Sequence, residues 1–173
     1  MKSIFVSAGH SNTAPGAVAH GRREADIAVE FRNIVAFYLQ RAGIPHELDG
    51  TGTVNLPLAK AAAAARKHPI GVEFHCNAAT AASATGTECL CGPKDTALAA
   101  AISAGIAATL GIRNRGAKPE NAGQHHRLAF VQAGGIIVEL FFLTNAGDLA
   151  AYDARKWLAG REVAEILAAA AVA

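Results

Sequence analysis

Ser3-Ile4-Phe5-Val6-Ser7-Ala8-Gly9-His10 is a short apolar run closed by a glycine and followed at once by an imidazole. Apolar runs of about four to eight residues bounded by turn signals read as buried strands. Downstream, residues 24–42 carry Ile27, Phe31, Ile34, Val35, Tyr38 and Leu39 as one stripe at helical spacing, and Gly43 ends it. A buried strand followed by an amphipathic helix is the opening unit of an α/β fold. The pattern continues outward from there. Residues 44–48 read as a strand. Residues 55–68 read as a helix with Asn55 as N-cap, Pro57 in the first turn and Pro69 as the stop. Residues 70–76 and 87–91 read as strands, 95–110 as a helix closed by Gly111, and 128–132 and 136–140 as the last strands. Residues 145–152 and 155–171 read as two closing helices. The alternation predicts one α/β domain over residues 1–173, with a mostly parallel twisted sheet and helices on both faces. Residues 114–126 form the one long irregular stretch, polar and glycine-containing, the type of loop that often carries function.

The 173 residues are one domain's worth of chain, enough to enclose a continuous core. With 51% apolar and 17% charged residues, disorder is excluded for most of it. Much of the apolar share is alanine, as at 61–65 and 168–171, so the core must come from the Ile, Val, Leu and Phe positions. The net charge of +2 is small, and the Lys and Arg residues are scattered, so no nucleic-acid footprint is present. Outside the alanine-rich segments no apolar stretch reaches the roughly eighteen residues of a membrane span. Met1-Lys2-Ser3 leads directly into Ile4-Phe5-Val6, without the apolar region or cleavage site of a signal peptide. The expectation is a chain that stays in the cytoplasm until something releases it. Three cysteines, Cys76, Cys89 and Cys91, are odd in number, which argues against a disulfide framework.

Ligands of open α/β sheets bind beyond the carboxyl ends of the strands. His10 follows the first strand, His75 closes the 70–76 strand, Glu139 lies near the end of the 136–140 strand, and Glu24 opens the first helix. Two imidazoles and two carboxylates therefore converge on one rim. Two His and one carboxylate with an open fourth position is a catalytic zinc arrangement. A hydrolytic site of this kind also needs a carboxylate off the metal, to take a proton from water and return it to the leaving group. His10, Glu24 and His75 suit the ligand roles, and Glu139 the acid/base role.

The segments SAGHSNTAPGAVAHGRREADIA (7–28), VEFHCNAA (72–79), GTECLCGPKD (86–95), RNRGAK (113–118) and IIVELFFLTNAGDL (136–149) resemble the zinc-dependent N-acetylmuramoyl-L-alanine amidases of the amidase-3 family, in the family's order. The resemblance implies that His10 of Gly9-His10, Glu24 of a Gly-x-x-Glu, and His75 of a His-x-Asn-Ala bind one zinc ion. It also implies that Glu139, ahead of Phe142-Leu143-Thr144-Asn145, is catalytic. The implied substrate is peptidoglycan, cut between the lactyl group of N-acetylmuramic acid and L-alanine. A short chain with no leader and no separate wall-binding module is similar to a bacteriophage endolysin. That implies a monomer without stable membrane insertion, held in the host cytoplasm until lysis and acting then in the periplasm or cell wall. The pattern departs at Ser7-Ala8-Gly9-His10, where the family has Asp-Pro-Gly-His, so weaker outer support of the metal site is expected. It departs also at Phe141, where a glycine is usual, and at Cys76, where a small alanine is common.

Bland readings stand beside these. Glu24 suits a first-turn acid at a helix N-terminus. Glu139 suits a buried partner for an arginine, although burial inside IIVELFFL is costly without a reason. His20 is the rival ligand. Glu73, two residues before His75 on the same strand face, is the rival acid/base. Cys76 belongs on the opposite face, in the core. Cys89 and Cys91 read as packing residues, or as half of a structural zinc set. Arg113 and Arg115 suit either a peptide carboxylate or a solvated turn, and His125 and His126 either substrate or solvent. Trp157, Val163, Ile166 and Leu167 mark one packing face of a docked helix. A related zinc peptidase and a non-catalytic wall-binding module are the alternative functions.

Overall fold

All five residues of β1 (Ile4–Ala8) are buried, because the strand lies inside a six-stranded sheet ordered β4-β1-β5-β8-β6-β7. The structure, a computed structural model, describes residues 1–122 and 127–173. In chain order the elements are β1, the short strands β2 (Val18–Ala19) and β3 (Arg22–Arg23), α1 (Glu24–Arg41), β4 (His46–Leu48), α2 (Leu58–Ala65), β5 (Ile70–Asn77) and β6 (Thr87–Cys91). Then follow α3 (Thr96–Leu110), β7 (Asn114–Pro119), α4 (Ala129–Gln132), β8 (Ile136–Phe142) and α5 (Ala146–Val172). Strands β4, β1, β5 and β8 are mutually parallel, β6 runs antiparallel to β8, and β7 is parallel to β6.

The alternation of side chains along each strand sorts the core into two layers. Ile4, Val6, Val72, Phe74 and Val138 face α1, α3 and α5. Phe5, Leu90 and Ile137 face α2 and α4. The first layer is covered by helices of 18, 15 and 27 residues. The second is covered by helices of only 8 and 4 residues. That thinner cover leaves the sheet open on one face near the ends of β1, β5 and β8.

A buried ion pair anchors the open rim. Arg32 on α1 and Asp49 after β4 are both fully enclosed, with Nη1 and Oδ1 2.8 Å apart. Asp49 Oδ2 accepts the Ala8 N–H, and Arg32 also donates to the Gly52 and Val54 carbonyls. At the opposite end of the sheet, Lys2 N–H donates to the Ala171 carbonyl, so the last turn of α5 closes over the start of β1. Among the described residues, no helix is long and apolar enough to cross a membrane.

Several expected elements differ. Residues 128–132 are not a strand: Leu128 is extended, and Ala129–Gln132 is the single helical turn α4. A short apolar run has no decisive period, and here Phe130 tucks under Gly135, where a side chain would overlap its ring. Residues 114–119 of the expected irregular stretch form β7, and the two expected closing helices are the one helix α5, since no glycine or proline interrupts residues 146–156 except Gly147 in the first turn. Asn55 is not a cap, because α2 begins after Pro57; its amide instead donates to the Ala8 and His10 carbonyls. The hairpin of β2 and β3, preceding Glu24, carried no sequence signal of its own.

Candidate active site

Three separate elements deliver His10, Glu24 and His75 to one point. His10 follows β1 with φ of +64°, a left-handed conformation that costs a non-glycine residue about 1–3 kcal/mol. The Asn55 amide, bonded to the carbonyls on either side of Gly9, holds it there. Glu24 is the first residue of α1, and its carboxylate turns back from the helix into the rim. Oε2 accepts the Ala17 N–H at 2.9 Å, and Oε1 accepts the Cys76 N–H at 3.0 Å. His75 Nδ1 lies 3.0 Å and His10 Nε2 3.1 Å from the same Oε1. Two glycines permit the crowding. A side chain on Gly9 would overlap the His75 ring, and one on Gly16, at φ of +70°, would overlap Glu24 and His10.

The ligand atoms of these three residues lie within 4.8 Å of one another, the one cluster of at least three metal-ligating groups among the described residues. Two imidazole nitrogens and a carboxylate oxygen are a donor set that suits zinc. Burial pushes the Glu24 carboxyl up, but its bonds with His10 and His75 outweigh this and hold it well below the usual carboxylate range. It is ionised at neutral pH, as a metal ligand must be. The reading of Glu24 as a helix-end acid is therefore too narrow.

Glu139 stands beside this cluster, directly opposite His75 in the β5–β8 register. Its Oε2 is enclosed and has no hydrogen-bond partner among the described residues. Burial raises the Glu139 carboxyl to about 7, with His75 opposing the rise and Glu24 and Glu88 adding to it. No arginine pairs with it among the described residues. A cleft of about 410 Å³ joins it to His10, Glu24, His75 and Glu88.

The sequence pattern does not single out Glu88 as a site residue. Glu88 lies across from Glu139 in the β6–β8 register, so His75, Glu139 and Glu88 form one row over three neighbouring strands. It accepts from Arg115 Nε (2.6 Å), Lys118 Nζ (2.5 Å) and Asn77 Nδ2 (3.1 Å). Burial raises the Glu88 carboxyl, but Lys118 and Arg115 overcome it and hold it below the ordinary value. It enters the site from the amino end of β6 because that strand is reversed. The nine residues from 78 to 86 signalled this: a parallel crossover needs about a dozen or more.

The remaining candidates fall elsewhere. His20 is exposed, with Nε2 3.3 Å from the Thr144 carbonyl, and it does not join the cluster. Glu73 contacts His75 through the outer nitrogen, Nε2, at 3.1 Å, away from Glu24. Cys76, Cys89 and Cys91 are free and buried, and burial pushes all three thiols up, which fits packing residues. Arg115 is tied to Glu88 and lies over the Phe142 ring, and Arg113 is exposed. His125 and His126 lie outside the described residues. Val163 and Leu167 are buried in α5, whereas Trp157 is half exposed against Phe37 and Tyr38.

Comparison with known proteins gives the family and the fold. The family model of N-acetylmuramoyl-L-alanine amidases (Amidase_3) matches residues 4–170. A solved Neisseria meningitidis protein, described as a candidate N-acetylmuramoyl-L-alanine amidase, is 44% identical with a TM-score of 0.90, over 98% of this chain and 95% of that one. The uncharacterised Bacillus subtilis protein YqiI is 29% identical over 154 residues, which is 85% of this chain and 73% of YqiI. The catalytic domain of a Clostridia-targeting endolysin, CD27L, shares the fold with a TM-score of 0.73 and 19% identity, over 99% of this chain and 97% of that domain. Fold and matches together define a hydrolase acting on amide bonds. The chain belongs to the N-acetylmuramoyl-L-alanine amidase family.

Proposed function

We propose that the protein hydrolyses the amide between the lactyl group of N-acetylmuramic acid and the L-alanine of the peptidoglycan stem peptide. In this reading His10, Glu24 and His75 hold one zinc ion and Glu139 is the general base and acid. The observation that carries it is the enclosed Glu139 Oε2, without a hydrogen-bond partner among the described residues, beside the His10–Glu24–His75 cluster in an open cleft. When bound, zinc would supply polarisation of the scissile carbonyl and a lowered pKa for water. Glu139 takes the proton of the attacking water onto its carboxylate. It then delivers that proton to the departing alanine nitrogen, so that water adds across the amide bond. Burial, which raises the Glu139 carboxyl, opposes the positive charge that zinc would bring and so keeps the protonated form within reach for the second step. Ionised Glu24 stays with the two imidazoles, and its two backbone N–H bonds keep it from moving into the cleft.

The whole of residues 1–173 acts as one catalytic domain in this proposal, as a monomer on the cell wall. For the setting we favour a phage endolysin; the fold shared with the CD27L catalytic domain is compatible with that role, as it is with bacterial wall enzymes. A wall enzyme of the bacterium itself is the second reading, favoured by the nearer match to the Neisseria meningitidis protein.

The test is mass spectrometry of purified peptidoglycan digested by native protein, chelated protein, zinc-restored protein and Glu139→Ala. The expected products are free stem peptides starting at L-alanine, lost with chelator, regained with zinc and absent for Glu139→Ala. Cuts within the peptide would instead indicate a peptidase. Binding without release would indicate a wall-recognition module.

A further inference from the structure

Ser7 and Glu73 are cross-strand partners on β1 and β5. Both are buried, and Glu73 shares a sheet face with His75. Ser7 Oγ donates to Glu73 Oε2 at 2.9 Å, and Glu73 Oε1 lies 3.1 Å from His75 Nε2. The other ring nitrogen of His75, Nδ1, lies 3.0 Å from Glu24 Oε1. The imidazole is thus held at both ends, by two carboxylates on opposite edges.

We propose that Glu73, fixed by Ser7, is the positioning residue that orients His75 and sets how tightly the His10–Glu24–His75 cluster holds a divalent metal. This rests on the metal site proposed above. Both ring nitrogens face a carboxylate; with Nδ1 given over to a metal, the bond to Glu73 would keep the remaining ring proton on Nε2 and the Nδ1 lone pair toward Glu24 and His10. Histidines that ligate metals are commonly oriented through their other nitrogen in this way. Three features of this chain point to Glu73 in particular. The carboxylate is 3% exposed, and a buried carboxylate is costly unless its hydrogen bonds are made. Its described side-chain partners are Ser7 and His75, so its position serves that ring. It also lines a cavity with Leu56, Pro57 and Leu58, to which Glu139 does not contribute, and it is not among the residues lining the cleft that holds Glu139. Glu73 is therefore placed to steer the ligand and not to share the acid/base role. The carboxylate support expected to be weak at Ser7 is supplied from the neighbouring strand.

The experiment measures zinc affinity by competition with a chromophoric chelator for the native chain, Glu73→Ala, Glu73→Gln and Ser7→Ala. Loss of an outer partner typically weakens metal binding by about 10–100-fold, and Glu73→Ala is expected in that range. Glu73→Gln is expected to recover most of the loss, because its carbonyl oxygen still accepts from His75 Nε2–H and its amide donates to Ser7 Oγ. Ser7→Ala, which frees the far end of Glu73, is expected to fall between the two. In the zinc-loaded protein, NMR should show a slowly exchanging His75 Nε2–H that is present in the native chain and Glu73→Gln and absent in Glu73→Ala. Native-like affinity of Glu73→Ala would overturn the proposal, as would Glu73→Gln binding no better than Glu73→Ala. A native chain that takes up no zinc would overturn the metal site itself, which is a distinct failure.

Discussion

Replacing Glu139 by glutamine should make the zinc-free protein more stable while it removes activity. The native carboxyl titrates near 7 because burial disfavours its charge, against an ordinary value of 4.5. At ~1.4 kcal/mol per pH unit, the folded protein pays about 3 kcal/mol to hold this group ionised. The sign follows from the proton count. Below the ordinary value both folded and unfolded chains carry the proton, and the group contributes nothing. Between 4.5 and about 7 the unfolded chain releases its proton while the folded chain keeps it, so stability declines as pH rises. Above about 7 the full cost applies. Glutamine has a similar shape and no charge to desolvate. At pH 8 Glu139→Gln should gain up to about 3 kcal/mol, or about 6–12 °C in Tm for a chain of this size. At pH 4 the gain should vanish. The assay is urea unfolding followed by circular dichroism in excess chelator at both pH values. With zinc bound, the added positive charge favours the ionised carboxylate and the gain should shrink. Amidase turnover should fall by about 10²–10⁴-fold, the usual worth of a general acid/base. A variant no more stable than the native chain at pH 8, or one with the same gain at both pH values, would refute the reasoning.

Gly9→Ala should lower zinc affinity at least tenfold and cost about 1–3 kcal/mol of stability, because the new methyl overlaps the His75 ring and must push it aside; chelator competition and thermal unfolding measure the two effects. Arg32→Met should cost about 3–5 kcal/mol by leaving Asp49 buried without its partner. Adding Asp49→Asn should recover part of that loss in urea unfolding, since the two residues are in contact.

The parts of the site that were legible are those whose chemistry conflicts with their surroundings. A carboxylate within IIVELFFL and imidazoles at the ends of apolar runs can be noticed without coordinates. Glu24 was placed because a helix following β1 must begin on the same rim. Glu88 was missed because its approach depends on the direction of β6, which hydrophobic alternation does not encode and only the short 78–86 connection reveals. The side of His75 on which Glu73 stands was equally hidden. Period two put both on one face, but which nitrogen each carboxylate meets depends on the ring's rotation, and that is set by Gly9 and Ser7 on another strand. The misread 128–132 segment shows the same limit in the fold. Its apolar run fits a strand or a helical turn, and the contact between Phe130 and Gly135 decided between them.

The hydrogen bond from Lys2 to Ala171 brings both chain ends to the end of the sheet opposite the cleft. Chain ends that meet at a surface away from function tolerate fusion and circular permutation. A targeting module joined at either end would leave from the same back face and would not block the approach of a glycan strand. The ends could also be linked and the chain reopened elsewhere, with His10, Glu24, His75 and Glu139 kept on the elements that hold them.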